Sequence, residues 1–199
     1  MTASVEFYFD YLSPMSYFGF HRLKALRERT GCDVVMRPMS LQGVMEATGN
    51  RPPGLVANKG KFYALDFQRH AKRFGLPFQV NPAFPMNTIR SLRLTAGLLD
   101  ADQLLPVMGW IFHNTWAEPK DISDKSVLYD VLKDGGFDAE ALFELSNLQS
   151  NKDLIRKNTK IAVSRGVFGA PTFFVGDDMY FGQDRLDFVE DALTERAWV

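Results

Sequence analysis

Cysteine is almost absent from this chain, which has one, Cys32, among its 199 residues. A single thiol excludes an internal disulfide and a dithiol redox centre. We interpret Cys32 as a small residue packed between a helix and a strand. Neither sign of charge dominates, because 23 basic and 24 acidic residues are mixed along the chain. The lack of a basic block indicates that neither nucleic acid nor a membrane surface is a partner.

Long apolar runs and targeting signals are missing too. No apolar stretch approaches the roughly 20 residues that a membrane span needs. The N-terminus has no basic region followed by an apolar one, so it does not resemble a signal peptide. These features predict a soluble protein of the reducing cytoplasm. Core-forming residues are abundant, since 46% of the chain is hydrophobic and 17 residues are Phe.

The first informative stretch is a predicted strand followed at once by a predicted helix. Val5, Phe7 and Phe9 recur with period two, which predicts a strand. Ser13-Pro14-Met15-Ser16 then begins a helix, because Ser is a preferred N-cap and Pro a preferred first helical residue. Thioredoxin-like redox proteins carry Cys-x-x-Cys at such a corner, where helix N–H groups favour an anion. Ser13 is therefore open to two interpretations, a simple helix cap or a functional hydroxyl.

The chain reads as βαβ, then a helical block, then ββα. Between residues 40 and 165 there is almost no strand signal, and the last helix of this block, 150–164, is predicted to face inward with Leu154, Ile161 and Val163. Strands at both ends with helices between them indicate one α/β domain with a helical insertion. We assign residues 1–39 and 166–199 to the α/β domain and 40–165 to the insertion.

Two stretches near the C-terminus have open interpretations. Pro171 follows two glycines and opens a strand, so it is either a turn or edge proline or a cis-proline. In the second case the residue before it would offer its backbone to an extended peptide. Gln183 and Asp184 precede the last helix, where Asp184 is an N-cap or the pair recognises an α-amino and an α-carboxyl group.

Histidine gives no metal signal. The three histidines lack the spacing of metal ligands and are interpreted as packed or surface residues in helices; they are His21, His70 and His113. No metal site is predicted. No glycine-rich phosphate loop is present either, so nucleotide chemistry has no support.

Four motifs occur together in order: Phe-Tyr-Phe-Asp-Tyr-Leu-Ser-Pro-x-Ser-Tyr, Gly-Asn-Arg-Pro-Pro-Gly, Gly-Val-Phe-Gly-Ala-Pro-Thr and Phe-Gly-Gln-Asp-Arg-Leu. With them the chain resembles, over essentially its whole length, the 2-hydroxychromene-2-carboxylate isomerase family, relatives of the kappa-class glutathione transferases. The resemblance implies a thioredoxin-like fold with a large all-helical insertion and a homodimer. It also implies glutathione as cofactor and a small aromatic substrate. The reaction would convert 2-hydroxychromene-2-carboxylate to trans-o-hydroxybenzylidenepyruvate in naphthalene-type aromatic degradation.

The resemblance also implies the site residues. Ser13 matches the serine that faces the glutathione sulfur, and Ala170, before cis-Pro171, matches the residue that holds the cysteinyl backbone. The glutathione-binding set is completed by matches to the γ-glutamyl end and to a kappa-class asparagine, namely Gln183, Asp184 and Asn50. Two further residues, Lys59 and Asn87, match segments that line the substrate side.

Two alternatives stay open. The loop containing Asn50 resembles the kappa form more than that of the best-known isomerases, which favours a glutathione transferase or peroxidase of kappa type. The other alternative is a non-catalytic thioredoxin-like binding module.

Overall fold

The computed structural model describes residues 3–196 and is built around one mixed sheet of four strands. The strands are β1 (Ser4–Phe9), β2 (Asp33–Pro38), β3 (Thr172–Val175) and β4 (Asp178–Phe181), in the order β2-β1-β3-β4. β1 is parallel to β2 and antiparallel to β3, and β3 is antiparallel to β4. Strands from the two ends of the chain therefore share one sheet, which confirms the predicted thioredoxin-like fold.

The helices of the described residues surround this sheet. They are α1 (Pro14–Thr30), α2 (Leu41–Thr48), α3 (Ala57–Phe74), α4 (Ile89–Ala96), α5 (Leu104–Trp116), α6 (Lys125–Asp134), α7 (Ala139–Asn147), α8 (Gln149–Ser164) and α9 (Leu186–Arg196). Short 3-10 turns occur at Pro53–Leu55 and Gln183–Arg185. α2 to α8 lie between β2 and β3 in the chain, as a helical insertion requires; the exact domain boundaries stay a prediction. No helix within 3–196 is long and apolar enough to cross a membrane.

Aromatic residues fill both faces of the sheet. On one face Phe7 stacks on Phe9 and on Phe173, with ring centroids 5.0 and 5.3 Å apart, and this cluster continues into α1 and α9. On the other face Tyr8 packs edge-on against Phe174, in a cluster that includes residues of α2 and α8. The alternation seen in the sequence thus places Val5, Phe7 and Phe9 in one core and Tyr8 in the other.

Two helices differ from their sequence prediction. The sequence pattern predicts a helix over 121–133, but α6 begins after Asp124, whose carboxylate accepts from the N–H groups of Ser126 and Val127 as an N-cap. In α8 the predicted inward residue Ile161 is 37% exposed. The helix instead buries Asn158, whose amide donates to the Pro38 carbonyl at 3.0 Å. A buried carbonyl at the end of β2 needs a donor, and this requirement overrides the apolar pattern.

Candidate functional site

The centre of the site is the corner between β1 and α1, where Ser13 is only 5% exposed. Its Oγ accepts from the N–H of Ser16 at 3.1 Å, so Ser13 is the N-cap of α1. The same Oγ donates to the carbonyl of Ala170 at 2.9 Å. The helix cap and the contact with the loop before β3 are therefore both present, and the first interpretation does not exclude the second.

The loop partner of Ser13 is a cis-proline turn. The peptide bond between Ala170 and Pro171 is cis, which is the second of the two interpretations of this proline. The Pro171 carbonyl accepts from the N–H of Gly182 at 3.0 Å, which ties the loop to the segment after β4. The N–H of Ala170 has no hydrogen-bond acceptor among residues 3–196. Ala170 thus offers an unused donor beside the Ser13 hydroxyl.

Asn50 joins the same loop from the insertion. Its Nδ2 donates to the carbonyl of Phe168 at 2.7 Å. The next carbonyl, that of Gly169, accepts from the hydroxyl of Thr172 at 2.9 Å. The structure therefore brings together four of the predicted site residues, since Asn50 and Ser13 both contact the short loop that contains Ala170 and Pro171.

Asp10 directly follows β1 and stabilises the turn that leads to Ser13. The sequence pattern did not identify it as a site residue. Its carboxylate is buried and accepts from the N–H groups of Leu12 and Leu41 and from the hydroxyl of Thr88. Its carbonyl accepts from the N–H of Ser13 at 3.1 Å. Burial raises the pKa of Asp10, although these three hydrogen bonds oppose the change. An acidic residue directly after a buried strand was the available signal.

Gln183 is 1% exposed, and its side chain is fully engaged by the protein. Its Oε1 accepts from Arg22 at 3.0 Å, and its Nε2 lies 3.1 Å from both ring nitrogens of His70. His70 also lies 3.2 Å from Asp66. The neighbouring Asp184 points the other way, with a side chain 55% exposed and paired to Arg185 at 2.9 Å. Of the two predicted recognition residues, Asp184 has the accessible charge.

The two substrate-side residues are both exposed. Asn87 accepts from the N–H of Ile89 at 3.0 Å and lines, with Leu12 and Thr88, a cavity of about 200 Å³. This cavity is next to the corner because Leu12 precedes Ser13. Lys59, near the start of α3, makes no side-chain hydrogen bond or ion pair with another described residue. The structure therefore relates Asn87, but not Lys59, to the corner.

Titratable clusters elsewhere do not form a metal site. Within residues 3–196 no group of three or more His, Cys, Asp or Glu side chains could hold a metal ion. Burial lowers the pKa of His21, and the nearby Lys24 and His113 lower it further. Cys32 is buried in the core and far along the chain from the Ser13 corner.

Sheet order, the serine at the start of α1 and the cis-proline before β3 together define a thioredoxin-like protein without a dithiol. The family model for the DsbA-like thioredoxin domain matches residues 4–194. The 2-hydroxychromene-2-carboxylate isomerase of Sphingobium xenophagum is 34% identical over 197 residues, 98% of this chain and 100% of that protein. Glutathione S-transferase kappa 2 of Caenorhabditis elegans is 32% identical over 208 residues, 96% of this chain and 92% of that protein.

A solved structure of a 2-hydroxychromene-2-carboxylate isomerase shares the fold with a TM-score of 0.83 and 28% identity, covering 98% of this chain and 96% of that one. The chain belongs to the DsbA-like thioredoxin family, in the group of the 2-hydroxychromene-2-carboxylate isomerases and their kappa-class glutathione transferase relatives.

Proposed function

We propose that this protein is a glutathione-dependent isomerase that converts 2-hydroxychromene-2-carboxylate to trans-o-hydroxybenzylidenepyruvate. The observation that carries the proposal is the Ser13 hydroxyl, placed at the N-terminus of α1 and in contact with the residue before cis-Pro171. Full-length relatives from Sphingobium xenophagum and Pseudomonas putida, at 34% and 31% identity, are isomerases of this name.

The residues of the corner fit glutathione. When bound, glutathione supplies a thiol that becomes a strong nucleophile on losing its proton. The chain has no thiol of its own at this corner, and the free N–H of Ala170 suits the edge of an extended peptide. Ala170 and Pro171 would hold the cysteinyl part, and Asn50 would keep their loop in place. The exposed carboxylate of Asp184 would take the γ-glutamyl amino group.

Ser13 and the start of α1 can supply the free energy of thiolate formation. A thiol with a pKa of about 8.5 is only a few per cent ionised at neutral pH. Lowering this pKa by about 2 requires about 2.7 kcal/mol. A hydrogen bond from the Ser13 hydroxyl to a charged sulfur would contribute about 1.5–3 kcal/mol. The helix dipole would add about 0.3–1 kcal/mol. The sum of about 1.8–4 kcal/mol brackets this requirement without a cationic side chain at the corner.

The substrate would lie between the corner and the insertion. The cavity beside Leu12 provides a polar wall that includes Asn87. Lys59 is exposed and has no anionic partner among the described residues, so its ammonium is available to a substrate carboxylate. We assign Asn87 to substrate binding from its place in this cavity, and Lys59 from the family resemblance alone.

A kappa-type glutathione transferase or peroxidase is the second candidate. It is favoured by the contact of Asn50 with the Phe168 carbonyl, which makes the kappa-like loop part of the site, and by the kappa-class relatives. A non-catalytic binding module is the third. The first two candidates share the glutathione site and differ in what happens to glutathione during turnover, whereas the binding module requires neither glutathione nor turnover.

We extend the proposal to a cytoplasmic homodimer that acts in aromatic degradation. Large apolar side chains are exposed on the 3-10 turn before α3 and on α3 itself: Leu55, Val56, Phe62 and Leu65. Such a patch is typical of an interaction surface. Light scattering coupled to gel filtration measures the mass directly, and a monomer at micromolar concentration would contradict this extension.

The function is tested by calorimetry with glutathione and by turnover of 2-hydroxychromene-2-carboxylate with and without it. We expect binding, turnover only in the presence of glutathione, and an unchanged glutathione concentration after many turnovers. Stoichiometric consumption of glutathione would contradict the isomerase and favour the transferase or peroxidase. Absence of glutathione binding would favour the non-catalytic binding module.

A further inference from the structure

The Ser13 hydroxyl has a single proton, and the protein already uses it. That proton is donated to the Ala170 carbonyl at 2.9 Å, while the oxygen accepts the N–H of Ser16. A hydroxyl in this state cannot also donate to a ligand sulfur. Activation of a thiol by Ser13 therefore requires that the hydrogen bond to Ala170 is given up.

The carbonyls around Ala170 show how unusual this pairing is. The Phe168 carbonyl accepts from the side-chain amide of Asn50. The Gly169 carbonyl accepts from the hydroxyl of Thr172, and the Pro171 carbonyl accepts from the backbone N–H of Gly182. Only the Ala170 carbonyl depends on the hydroxyl of the corner. The Ala170 N–H has no acceptor in the part of the chain that the structure describes. The N–H of Ala170 is thus unused, whereas its carbonyl is occupied by the Ser13 hydroxyl.

We propose that the hydrogen bond between Ser13 and Ala170 is a latch that the ligand releases with its own backbone N–H. The amide N–H of a peptide-linked cysteine takes over the Ala170 carbonyl, and the freed hydroxyl turns to the ligand sulfur. Because Oγ keeps the N–H of Ser16, the oxygen stays in place while its proton changes partner. This inference rests on the proposed glutathione site and restricts the ligand class to thiols that carry an amide N–H on the carbon next to the CH₂–SH group.

The latch has a physical basis in the burial of its parts. Ser13 is 5% exposed and Ala170 is half-buried, so breaking their hydrogen bond without replacement would leave a partly buried carbonyl unpaired. A ligand N–H removes this penalty, whereas a simple thiol does not. In the competing arrangement the carbonyl would use its second lone pair for the ligand and keep the serine, which would then be unable to donate to the sulfur.

The experiment compares glutathione with its depsipeptide analogue, in which an ester oxygen replaces the cysteinyl N–H. The pKa of the bound thiol is obtained from the pH dependence of Kd, which needs no saturation, and from thiolate absorbance. On the wild-type protein we expect the ester to raise the bound thiol's pKa by about 1, equal to a tenfold fall in its acid dissociation constant. On Ser13→Ala both ligands should give the same pKa.

Ser16→Ala provides the matched control, because it removes a buried hydroxyl that has no partner yet keeps the N–H that anchors Ser13. It should retain the wild-type difference between the two ligands. Equal bound pKa values on the wild-type protein, an equal difference on Ser13→Ala, or complete loss of binding by the ester would each overturn the latch. Failure of glutathione itself to bind would instead refute the proposed function.

Discussion

The two halves of the candidate glutathione site are built in different ways. In the thiol half, Ser13 and Ala170 are 157 positions apart in the chain and meet in a direct hydrogen bond. In the recognition half, Gln183 and Asp184 are adjacent in the chain, yet one side chain is buried and the other exposed. Distance along the chain is therefore a poor guide to which predicted residues act together.

The difference follows from what positions each half. β1 pairs antiparallel with β3, with Tyr8 opposite Thr172, so the end of β1 and the start of β3 lie side by side. Backbone register alone brings the two loops of the thiol half together. The recognition half depends on side chains of α1 and α3, since Arg22 and His70 hold the amide of Gln183. We expect the thiol half to withstand most substitutions and the recognition half to be more easily changed.

The largest effect should come from breaking the support of the thiol half with Asp10→Ala. This change leaves two backbone N–H groups and the Thr88 hydroxyl without an acceptor. We expect the free energy of unfolding to fall by about 3–5 kcal/mol. Denaturant unfolding measures it. The exposed Asp100→Ala, as a control, should change it by less than about 0.5 kcal/mol.

The same variant carries a pH signature. Because burial raises the folded pKa of Asp10 above its unfolded value, its contribution to stability is present at low pH and is lost as the pH rises through the folded pKa. The difference in unfolding free energy between the wild type and Asp10→Ala should therefore be larger at acidic than at neutral pH. A difference that grows toward neutral pH would show that Asp10 is stabilised as a carboxylate.

Gln183→Ala tests whether the buried half of the recognition pair serves the fold. The change leaves the amide partners Arg22 and His70 without their contacts and should cost about 2 kcal/mol of unfolding free energy. The matched control is Gln79→Ala, an exposed residue whose side chain has no partner among the described residues. Unchanged stability in Gln183→Ala, beside a loss of glutathione affinity, would make Gln183 a ligand residue only.

Asp184→Ala should act on binding and leave the fold intact, since its carboxylate is exposed. We expect the Kd for glutathione to rise about tenfold, with kcat at saturating glutathione nearly unchanged, because the interaction is equal in ground and transition states. Asp191→Ala, also exposed, is the control. An unaltered Kd would remove Asp184 from the site and leave the recognition half without its charge.

We expect the protein to have no dithiol-exchange activity. The corner carries Ser13 and Ser16, and Cys32 is buried in the core. Insulin reduction with dithiothreitol should stay at the background rate, in contrast to thioredoxin-like proteins that keep both thiols. A rate above background would contradict the conclusion that the Ser13 corner is not a redox centre.

Local signals account for most of the fold. Ser13 caps α1 as predicted, and Gly31 and Gly75 end α1 and α3 with positive φ values of 67° and 64°. The alternation of Val5, Phe7 and Phe9 also predicted strand β1. These features depend on neighbours in the chain, so the sequence contains the information needed to predict them.

Long-range contacts explain what could not be predicted. The buried face of α8 includes Asn158 because a carbonyl of β2 needs a donor, and no periodicity within the helix reveals that need. Asp10 reads as an ordinary polar position, and its role depends on Leu41 and Thr88, far along the chain. The contact of His70 with Gln183 likewise joins residues that are far apart in the chain, in addition to its local contact with Asp66.

The central claim is that the Ser13 hydroxyl stabilises a bound thiolate and does not merely cap a helix. The most direct test titrates glutathione bound to Ser13→Ala, with Ser40→Ala as control, because Ser40 caps α2 in the same way through the N–H of Gly43. Each variant should lose about 1 kcal/mol of stability. Only Ser13→Ala should raise the pKa of the bound thiol, by about 1–2. An unshifted titration in Ser13→Ala, with both variants equally destabilised, would reduce Ser13 to a helix cap.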